Sequence, residues 1–234
     1  MSHPAISPST SNEVLSSAIE QIVNARHSIR FYHPAPVDPN ILTACATLAQ
    51  RASSNSNTQP WRLHLAQGPA RDRIVAALQQ ACKDYGGPNV PGIPEKFQHY
   101  RSEMGHQLYG PDGYDIARED KEAKTRATMR NYEFFGAPVG GVVTMHEDLG
   151  LIDALGVGMF MEIFSAALTA RGLGCCWQVS IAGFPEVCER EFGLGEELRV
   201  LCGVAIGYPD ERSSVNNLVI ERDPVEKQIV MLEE

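Results

Sequence analysis

The stretch RASSNSNTQPWR, residues 51–62, lies between two segments of different hydrophobic periodicity. Before it, apolar residues recur every three or four positions, as in an amphipathic helix. From Trp61 onward, apolar and polar residues alternate, as in a half-buried strand. A helix-to-strand connection needs only one or two turn-forming residues. This one carries a run of hydroxyl and amide side chains, for which the local sequence supplies no hydrogen-bonding partners: Ser53, Ser54, Asn55, Asn57 and Gln59.

The rest of the chain continues this mixture of helical and strand-like patterns. At 234 residues it is long enough for one domain with a complete core. We predict an α+β fold with four or five strands surrounded by helices. Residues 13–234 form the single domain, and residues 1–12 are a disordered lead-in. Residues 84–118, rich in Gly, Pro, Tyr and His, are an irregular arm or lid. Residues 210–234 form a polar C-terminal extension that lies along another surface.

The overall composition excludes several classes of function. A net charge of −9 argues against binding to nucleic acid or to an anionic membrane. No segment has the roughly 18 consecutive apolar residues of a membrane-spanning helix. Residues 1–12 lack the basic region and apolar run of a signal peptide. The six cysteines have no metal-binding spacing, and Cys175-Cys176 reads as two small strand residues rather than a redox pair. We therefore expect reduced thiols and a cytoplasmic protein without a metal.

The glycines of Gly156-Val157-Gly158 resemble the start of a dinucleotide-binding motif, but their setting is different. They lie within residues 153–171, a helix that is apolar nearly all round, and not at a strand-to-helix turn. We interpret them as sites of close packing. The helix itself must lie in a core or in a subunit interface. The chain contains no P-loop, HExxH or GxSxG motif, so an acid–base hydrolase has little support.

The segment RHSIRFY, residues 26–32, places three polar side chains at alternating positions. In an extended backbone Arg26, Ser28 and Arg30 point the same way. Two guanidinium groups and a hydroxyl suit a phosphate ester and its polyol. The alternative is surface charge paired with some of the 29 acidic residues, and the spacing does not decide between the two.

These motifs together resemble the FMN-dependent nitroreductase family, from about residue 14 to about residue 230. The resemblance rests on RHSIRFY, RASSNSNTQPWR, RGLGCCWQVS and LCGVAIGYPDE, followed by NNLVIERDPVE, in that order. The segments HQLYGPDGYDIARED and FFGAPVG resemble most the branch that includes nitrobenzoate and dinitroaniline reductases.

The resemblance implies a nitroreductase-like fold, in which helices flank a central mixed or antiparallel sheet. It also implies an intertwined homodimer with two FMN sites at the interface and a C-terminal tail that extends onto the partner. The implied activity is a ping-pong reduction of nitroaromatic or similar electrophilic acceptors. NADPH or NADH delivers hydride to flavin N5, which then reduces the acceptor. No catalytic side chain is required, because the flavin carries the chemistry.

The resemblance also assigns residues to the site. From one subunit the FMN phosphate and ring edge are held by Arg26, His27, Ser28 and Arg30. From the partner the flavin is reached by Ser53, Ser54, Asn55 and Asn57. Along the ring lie Trp177, Gln178 and Val179, and the phosphate is closed by Arg222. The substrate pocket is lined by Tyr100, His106, Tyr109 and Trp177.

The chain departs from the family at three of these positions. The family usually has Pro and Gly where this chain has Ser53 and Asn55, and Pro where it has Trp177. Other outcomes also remain open. The family includes enone reductases, flavin-dependent dehydrogenases and dehalogenases. A flavin-binding protein that catalyses no reaction would need the same binding residues, so the sequence does not exclude one.

Overall fold

A four-stranded antiparallel sheet organises the molecule. The computed structural model describes residues 11–232, and among them the strand order is β1 (Arg62–Gln67), β2 (Val139–His146), β4 (Leu198–Gly207), β3 (Gly174–Gln178). Every strand pair is antiparallel, while a single parallel bridge joins Ser28 to Cys175 at the outer edge of β3. Strands β2 and β4 are central and almost completely buried, as their apolar sequences require. The predicted α+β class is confirmed.

Helices cover both faces of the sheet. In the described part of the chain the α-helices are α1 (Asn12–Ala25), α2 (Pro39–Ala49), α3 (Pro69–Tyr85), α4 (Gln98–Tyr109), α5 (Lys121–Met129), α6 (Leu151–Thr169) and α7 (Pro185–Phe192). On one face α2 and α6 enclose a core that includes Phe164 and Leu168. On the other face α3 and α7 enclose a second core with Leu78 and Phe134. Each such side chain contributes roughly 1.5–3 kcal/mol through removal from water.

A strained turn shapes the second core. Phe134 and Phe135 have φ angles of 49° and 55°, in the left-handed region that disfavours bulky residues by roughly 1–2 kcal/mol each. Both side chains are buried, and Arg130 Nη2 donates to the Phe135 carbonyl oxygen at 3.0 Å. The turn brings the Phe134 ring over Gly140, where a β-carbon would lie only 2.3 Å from it. Gly140 of β2 therefore makes room for the neighbouring ring.

Helix α6 has two apolar sides with different surroundings. One side, including Phe160 and Phe164, is buried against the sheet. The other side is exposed, and its apolar residues are Ile152, Leu155, Met159 and Ile163. By length and composition alone, α6 is long and apolar enough to cross a membrane. Its buried side instead identifies it as a core helix, which confirms one of the two predicted alternatives, and its outer side is exposed in the single chain.

The predicted terminal and insertion segments contain more regular structure than their composition suggests. Residues 1–10 of the predicted lead-in lie outside the described residues, and α1 already begins at Asn12, capped by Ser11. Residues 84–118 contain the 12-residue helix α4. Residues 210–232 contain two short 3-10 turns and otherwise follow the surface of the molecule.

Candidate functional site

Residues 26–30 are fastened along the outer edge of β3. The Ile29 N–H donates to the Cys175 carbonyl oxygen at 3.1 Å, and the Ile29 side chain is buried. Arg26, Ser28 and Arg30 are partly exposed at alternating positions. One extended segment thus offers two guanidinium groups and a hydroxyl beside the parallel bridge between Ser28 and Cys175.

The two arginines differ in their ion pairing. Arg26 Nε lies 3.1 Å from Glu162 Oε1 on α6. No carboxylate of residues 11–232 pairs with Arg30, whose guanidinium lies 3.5 Å from the Ser28 carbonyl oxygen. Surface pairing with acidic residues therefore accounts for Arg26 but not for Arg30. A partly buried cation without a counter-ion is an arrangement that favours a bound anion.

The 26–31 segment is also tied to the C-terminal part of the chain. Both ring nitrogens of His27 face backbone carbonyl oxygens, that of Ala25 at 2.7 Å and that of Asn216 at 2.6 Å. The buried side chain of Asn216 hydrogen-bonds the backbone of Arg30 and Phe31. Sequence reasoning missed Asn216, although it belongs to the NNLVIERDPVE block.

The 53–59 loop has an unusual backbone. Ser56, Asn57 and Gln59 have φ angles of 48°, 58° and 47°, in the left-handed region. The loop is closed by a hydrogen bond from the Gln59 N–H to Ser54 Oγ at 3.1 Å. The side chains of Ser53, Asn55 and Asn57 remain exposed, so most of the loop's amide and hydroxyl groups are available to a ligand.

Gly156 on α6 explains how this loop is seated. A β-carbon there would lie 3.2 Å from Ser54 Cβ and 3.3 Å from the Ser53 carbonyl oxygen. The close-packing interpretation is confirmed for Gly156, with a loop as the packing partner, and is wrong for Gly158, which is exposed and has open space where a β-carbon would lie. Gly156 and Glu162 are six residues apart, which corresponds to about 9 Å along the helix and about 120° around it. Within one chain the loop and the Arg26 segment therefore occupy different flanks of α6.

The three residues at the end of β3 that are predicted to lie along the flavin ring have different surroundings. The Trp177 indole N–H donates to Ser165 Oγ at 2.9 Å, on the α6 face of the sheet. Gln178 is buried on the opposite face, where Nε2 donates to the Asn131 carbonyl oxygen at 2.7 Å. Val179 is exposed at the start of the 3-10 turn Val179–Gly183.

Two of the predicted pocket residues of the arm, Tyr100 and His106, lie against the C-terminal segment. The Tyr100 hydroxyl donates to Asp223 Oδ2 at 2.6 Å, a hydrogen bond that raises the pKa of Tyr100. His106 lines a cleft of about 790 Å³ between α4 and residues 214–221.

Tyr109 and Arg222 lie in different surroundings. Tyr109 stacks on Tyr114, which contacts Phe31 of the 26–31 segment. Arg222 is exposed and donates to the carbonyl oxygens of Ile220 and Glu221. In one chain, no contact between described residues brings Arg222 to Arg30.

Comparison with known proteins identifies the family. The model of the Nitroreductase family matches residues 23–208. The chain belongs to this family. It is 29% identical over 214 residues to a 4-nitrobenzoate reductase from Pseudomonas putida, an alignment that covers 90% of this chain and 93% of the relative.

Solved nitroreductases share the whole fold. The FMN-dependent nitroreductase NfnB from Mycobacterium smegmatis, in complex with NADPH, superimposes with a TM-score of 0.87 at 27% identity. The match covers 94% of this chain and 100% of that one. An FMN- and NADPH-dependent NfnB from sphigopyxis sp. strain HMH superimposes with a TM-score of 0.86 at 27% identity. This match covers 92% of this chain and 99% of that one. The resemblance in the sequence motifs, including that to the nitrobenzoate reductase branch, is thereby confirmed.

Five of the six cysteines of this nitroreductase-family chain are buried thiols, and Cys82 is partly buried. Cys175 and Cys176 are consecutive residues of β3, so their side chains leave opposite faces of the sheet. Burial raises the pKa of Cys175 to about 11 and also raises the pKa of Cys176. Within residues 11–232, no three His, Cys, Asp or Glu side chains are grouped as metal ligands.

We predict that the adjacent cysteines are unreactive in the native protein. With a pKa of about 11, Cys175 is thiolate in only about one part in a thousand at about pH 8. A thiol reagent should therefore leave Cys175 and Cys176 unmodified until denaturant is added, as read by mass spectrometry of peptides. The partly buried Cys82 is the internal comparison. A Cys175–Cys176 disulfide formed under mild oxidation would contradict this assignment.

Proposed function

We propose that this chain is an FMN-dependent oxidoreductase that uses NAD(P)H to reduce nitroaromatic or similar electrophilic acceptors. Its relatives are named as nitrobenzoate reductases and as FMN- and NADPH-dependent nitroreductases. The observation that carries the proposal is Arg30, a partly buried cation without a carboxylate partner among residues 11–232, next to Arg26 and Ser28 at the edge of β3.

The groups on this edge fit the cofactor. A phosphate monoester accepts hydrogen bonds from guanidinium forks and from a serine hydroxyl, which Arg26, Ser28 and Arg30 supply. His27 lies between the two arginines. The exposed side chains of the 53–57 loop, which include amides and hydroxyls, suit the ribityl hydroxyls and the polar ring edge.

The chain's own residues need only bind FMN, orient it and leave it accessible to its two reactants. FMN, when bound, supplies the redox chemistry by accepting hydride from NAD(P)H and passing it to the acceptor. The exposure of Val179 leaves the end of β3 open to solvent, as required when one reactant leaves before the next arrives. Solvent at this open end can deliver protons, so no acid–base side chain is needed.

We also propose that the site is completed by a second copy of the chain. Leu155 and Met159 on the outer side of α6 are 60% and 49% exposed, and they continue a stripe from Ile152 to Ile163. Helix α1 has no buried residue and carries a second exposed apolar stripe. Contiguous apolar faces on two helices are typical of homodimer interfaces.

A two-fold axis near Met159 would join the two halves of the site. If two α6 helices pack antiparallel about that point, Gly156 of one copy lies opposite Glu162 of the other, because 159 is midway between them. Gly156 seats the 53–54 backbone, and Glu162 pairs with Arg26. The partner's loop would then approach the Arg26–Arg30 segment, which no single chain achieves.

The remaining predicted segments have corresponding proposed roles. Residues 84–118 form an arm that selects the substrate, with Tyr109 connected to the 26–31 segment through Tyr114 and Phe31. Residues 210–234 form the extension that reaches the partner, where Arg222 would approach a phosphate. Six free cysteines agree with a reducing cytoplasm.

The first test is the reaction itself. We expect the FMN-loaded protein to be bleached anaerobically by NADPH or NADH and to regain its yellow colour when 4-nitrobenzoate is added, followed by stopped-flow absorbance. A flavin that stays oxidised would indicate a binding protein without turnover. Reoxidation by an enone but not by nitroarenes would indicate another acceptor. A protein that cannot take up FMN would contradict the proposal.

The second test concerns Arg30. We expect Arg30→Ala to raise the Kd for FMN about 10- to 100-fold, because a charge-assisted hydrogen bond to the phosphate is lost. Arg126→Ala makes the same change in net charge on the exposed side of α5 and should leave the Kd unchanged. The measurement is flavin fluorescence quenching on the apoprotein. Equal affinities for the two variants would remove Arg30 from the site.

The third test concerns the interface. We expect Leu155→Glu combined with Met159→Glu to give a monomer with greatly weakened FMN binding, because four carboxylates would meet near the two-fold axis. Ile93→Glu, which changes another exposed apolar position, on the arm, should stay dimeric. Size-exclusion chromatography with light scattering reads the mass. A monomeric variant that binds FMN normally would show that the site does not span two subunits.

A further inference from the structure

Asn216 is a buried side chain with every hydrogen-bonding position occupied. It is 3% exposed. Oδ1 accepts from the Arg30 N–H at 2.8 Å and the Phe31 N–H at 3.2 Å. Nδ2 donates to the Phe31 carbonyl oxygen at 2.8 Å and to the Asp210 carbonyl oxygen at 3.0 Å. An asparagine amide has two acceptor and two donor positions, so none remains free.

The backbone of Arg30 depends on side chains rather than on a strand partner. Its N–H is held by Asn216, and its carbonyl oxygen accepts from Arg130 Nη2 at 2.8 Å. The Arg130 guanidinium also lies 4.0 Å from the centre of the Phe31 ring, a cation–π contact. Two residues distant in sequence therefore fix both peptide groups of Arg30 and hence the direction in which its side chain leaves the sheet edge.

Asn216 also reaches the other end of the segment. Its own carbonyl oxygen lies 2.6 Å from His27 Nε2. One residue thus contacts His27, Arg30 and Phe31, which are 185 to 189 positions away in the chain. Such a contact restrains the spacing between Arg26 and Arg30, the two cations at the ends of the same segment.

We propose that Asn216 is a positioning residue for the flavin phosphate, with Arg130 as its counterpart on the other side of Arg30. The inference rests on the proposed function, because it assumes that Arg26, Ser28 and Arg30 bind that phosphate. Asn216 itself does not touch the ligand. It holds the backbone from which the three donors project.

The amide chemistry explains why an asparagine is needed. Two N–H groups face Oδ1 and two carbonyl oxygens face Nδ2, so only a side chain with an acceptor and a donor end satisfies all four. Aspartate would turn a carboxylate oxygen toward the carbonyls of Phe31 and Asp210. Alanine would leave four buried backbone groups with fewer partners.

The test compares FMN with riboflavin, which lacks the phosphate. We expect Asn216→Ala to raise the Kd for FMN about tenfold or more and to leave the Kd for riboflavin within about twofold. The preference for FMN over riboflavin should therefore fall by about the same factor. A residue that only stabilised the fold would change both affinities together. The affinities are measured by fluorescence quenching on apoprotein, at a temperature well below its Tm.

Two further variants isolate the effect. Asn217→Ala removes the neighbouring exposed asparagine, whose Nδ2 donates to the Glu211 carbonyl oxygen at 3.1 Å, and should retain the wild-type preference. Arg130→Lys keeps the positive charge but loses the guanidinium fork that reaches both Arg30 and Phe135. It should lower the preference for FMN even where Asn216→Ala does not fold.

The outcomes separate this inference from the proposed function. Wild-type protein that binds no FMN would defeat the proposed function. If the wild-type protein binds FMN and Asn216→Ala keeps the wild-type preference for FMN over riboflavin, the positioning role alone is overturned. If Asn216→Ala does not fold, an unchanged preference in Arg130→Lys overturns it. Equal losses for FMN and riboflavin would also overturn it, because they would assign Asn216 to general stability.

Discussion

The structure depends on how residues 26–31 are held at the outer edge of β3. A full strand ladder would fix the backbone, and the segment makes only one bridge with β3, at Ser28 and Cys175. Further restraint comes from a backbone hydrogen bond from the Asp210 N–H to the Phe31 carbonyl oxygen at 3.1 Å, and from two side chains, Asn216 on one side of Arg30 and Arg130 on the other. The segment therefore has the order of a strand while its cationic side chains stay clear of the core. The same contacts tie the beginning of the chain to its C-terminal part.

Helix α6 connects the parts of the site that one chain keeps separate. Its inner side belongs to the core, and its outer side is an exposed apolar stripe. The loop of residues 53–57 is seated at Gly156, while Arg26 is paired at Glu162. Because both contacts lie on one rigid helix, the packing of that helix against a second copy would set the distance between the two groups of proposed FMN-binding residues. In the proposed dimer, core packing, dimerisation and cofactor binding would therefore be mechanically linked.

The sequence predicts those features that depend on local pattern. The helices and strands on either side of residues 51–62 follow from periodicity, and the alternation of Arg26, Ser28 and Arg30 follows from an extended backbone. Gly156 was correctly interpreted as a packing site because it lies inside a helix. The seating of the loop against it required the structure, since its partner is about 100 residues away.

Features that depend on distant contacts were not accessible from sequence. Asn216 shows no periodicity, and its role arises from segments 185 or more residues away. Tyr100 looks like a pocket residue by type, whereas its hydroxyl bonds to Asp223 on the C-terminal segment. Helix α4 was underestimated because it is polar on most of its surface and has a single buried residue, Leu108.

Trp177 illustrates how a departure from the family pattern is absorbed. Its indole N–H donates to Ser165 on α6, and its ring lies 6.4 Å from that of Phe164. The usual proline has no such donor and removes a backbone N–H as well. The bulky ring is therefore accommodated on the α6 face of the sheet rather than on the face shared by Gln178 and Asn131. A tryptophan in this position couples the end of β3 to α6. Any influence of Trp177 on acceptor choice would accordingly act through the placement of that strand end relative to α6.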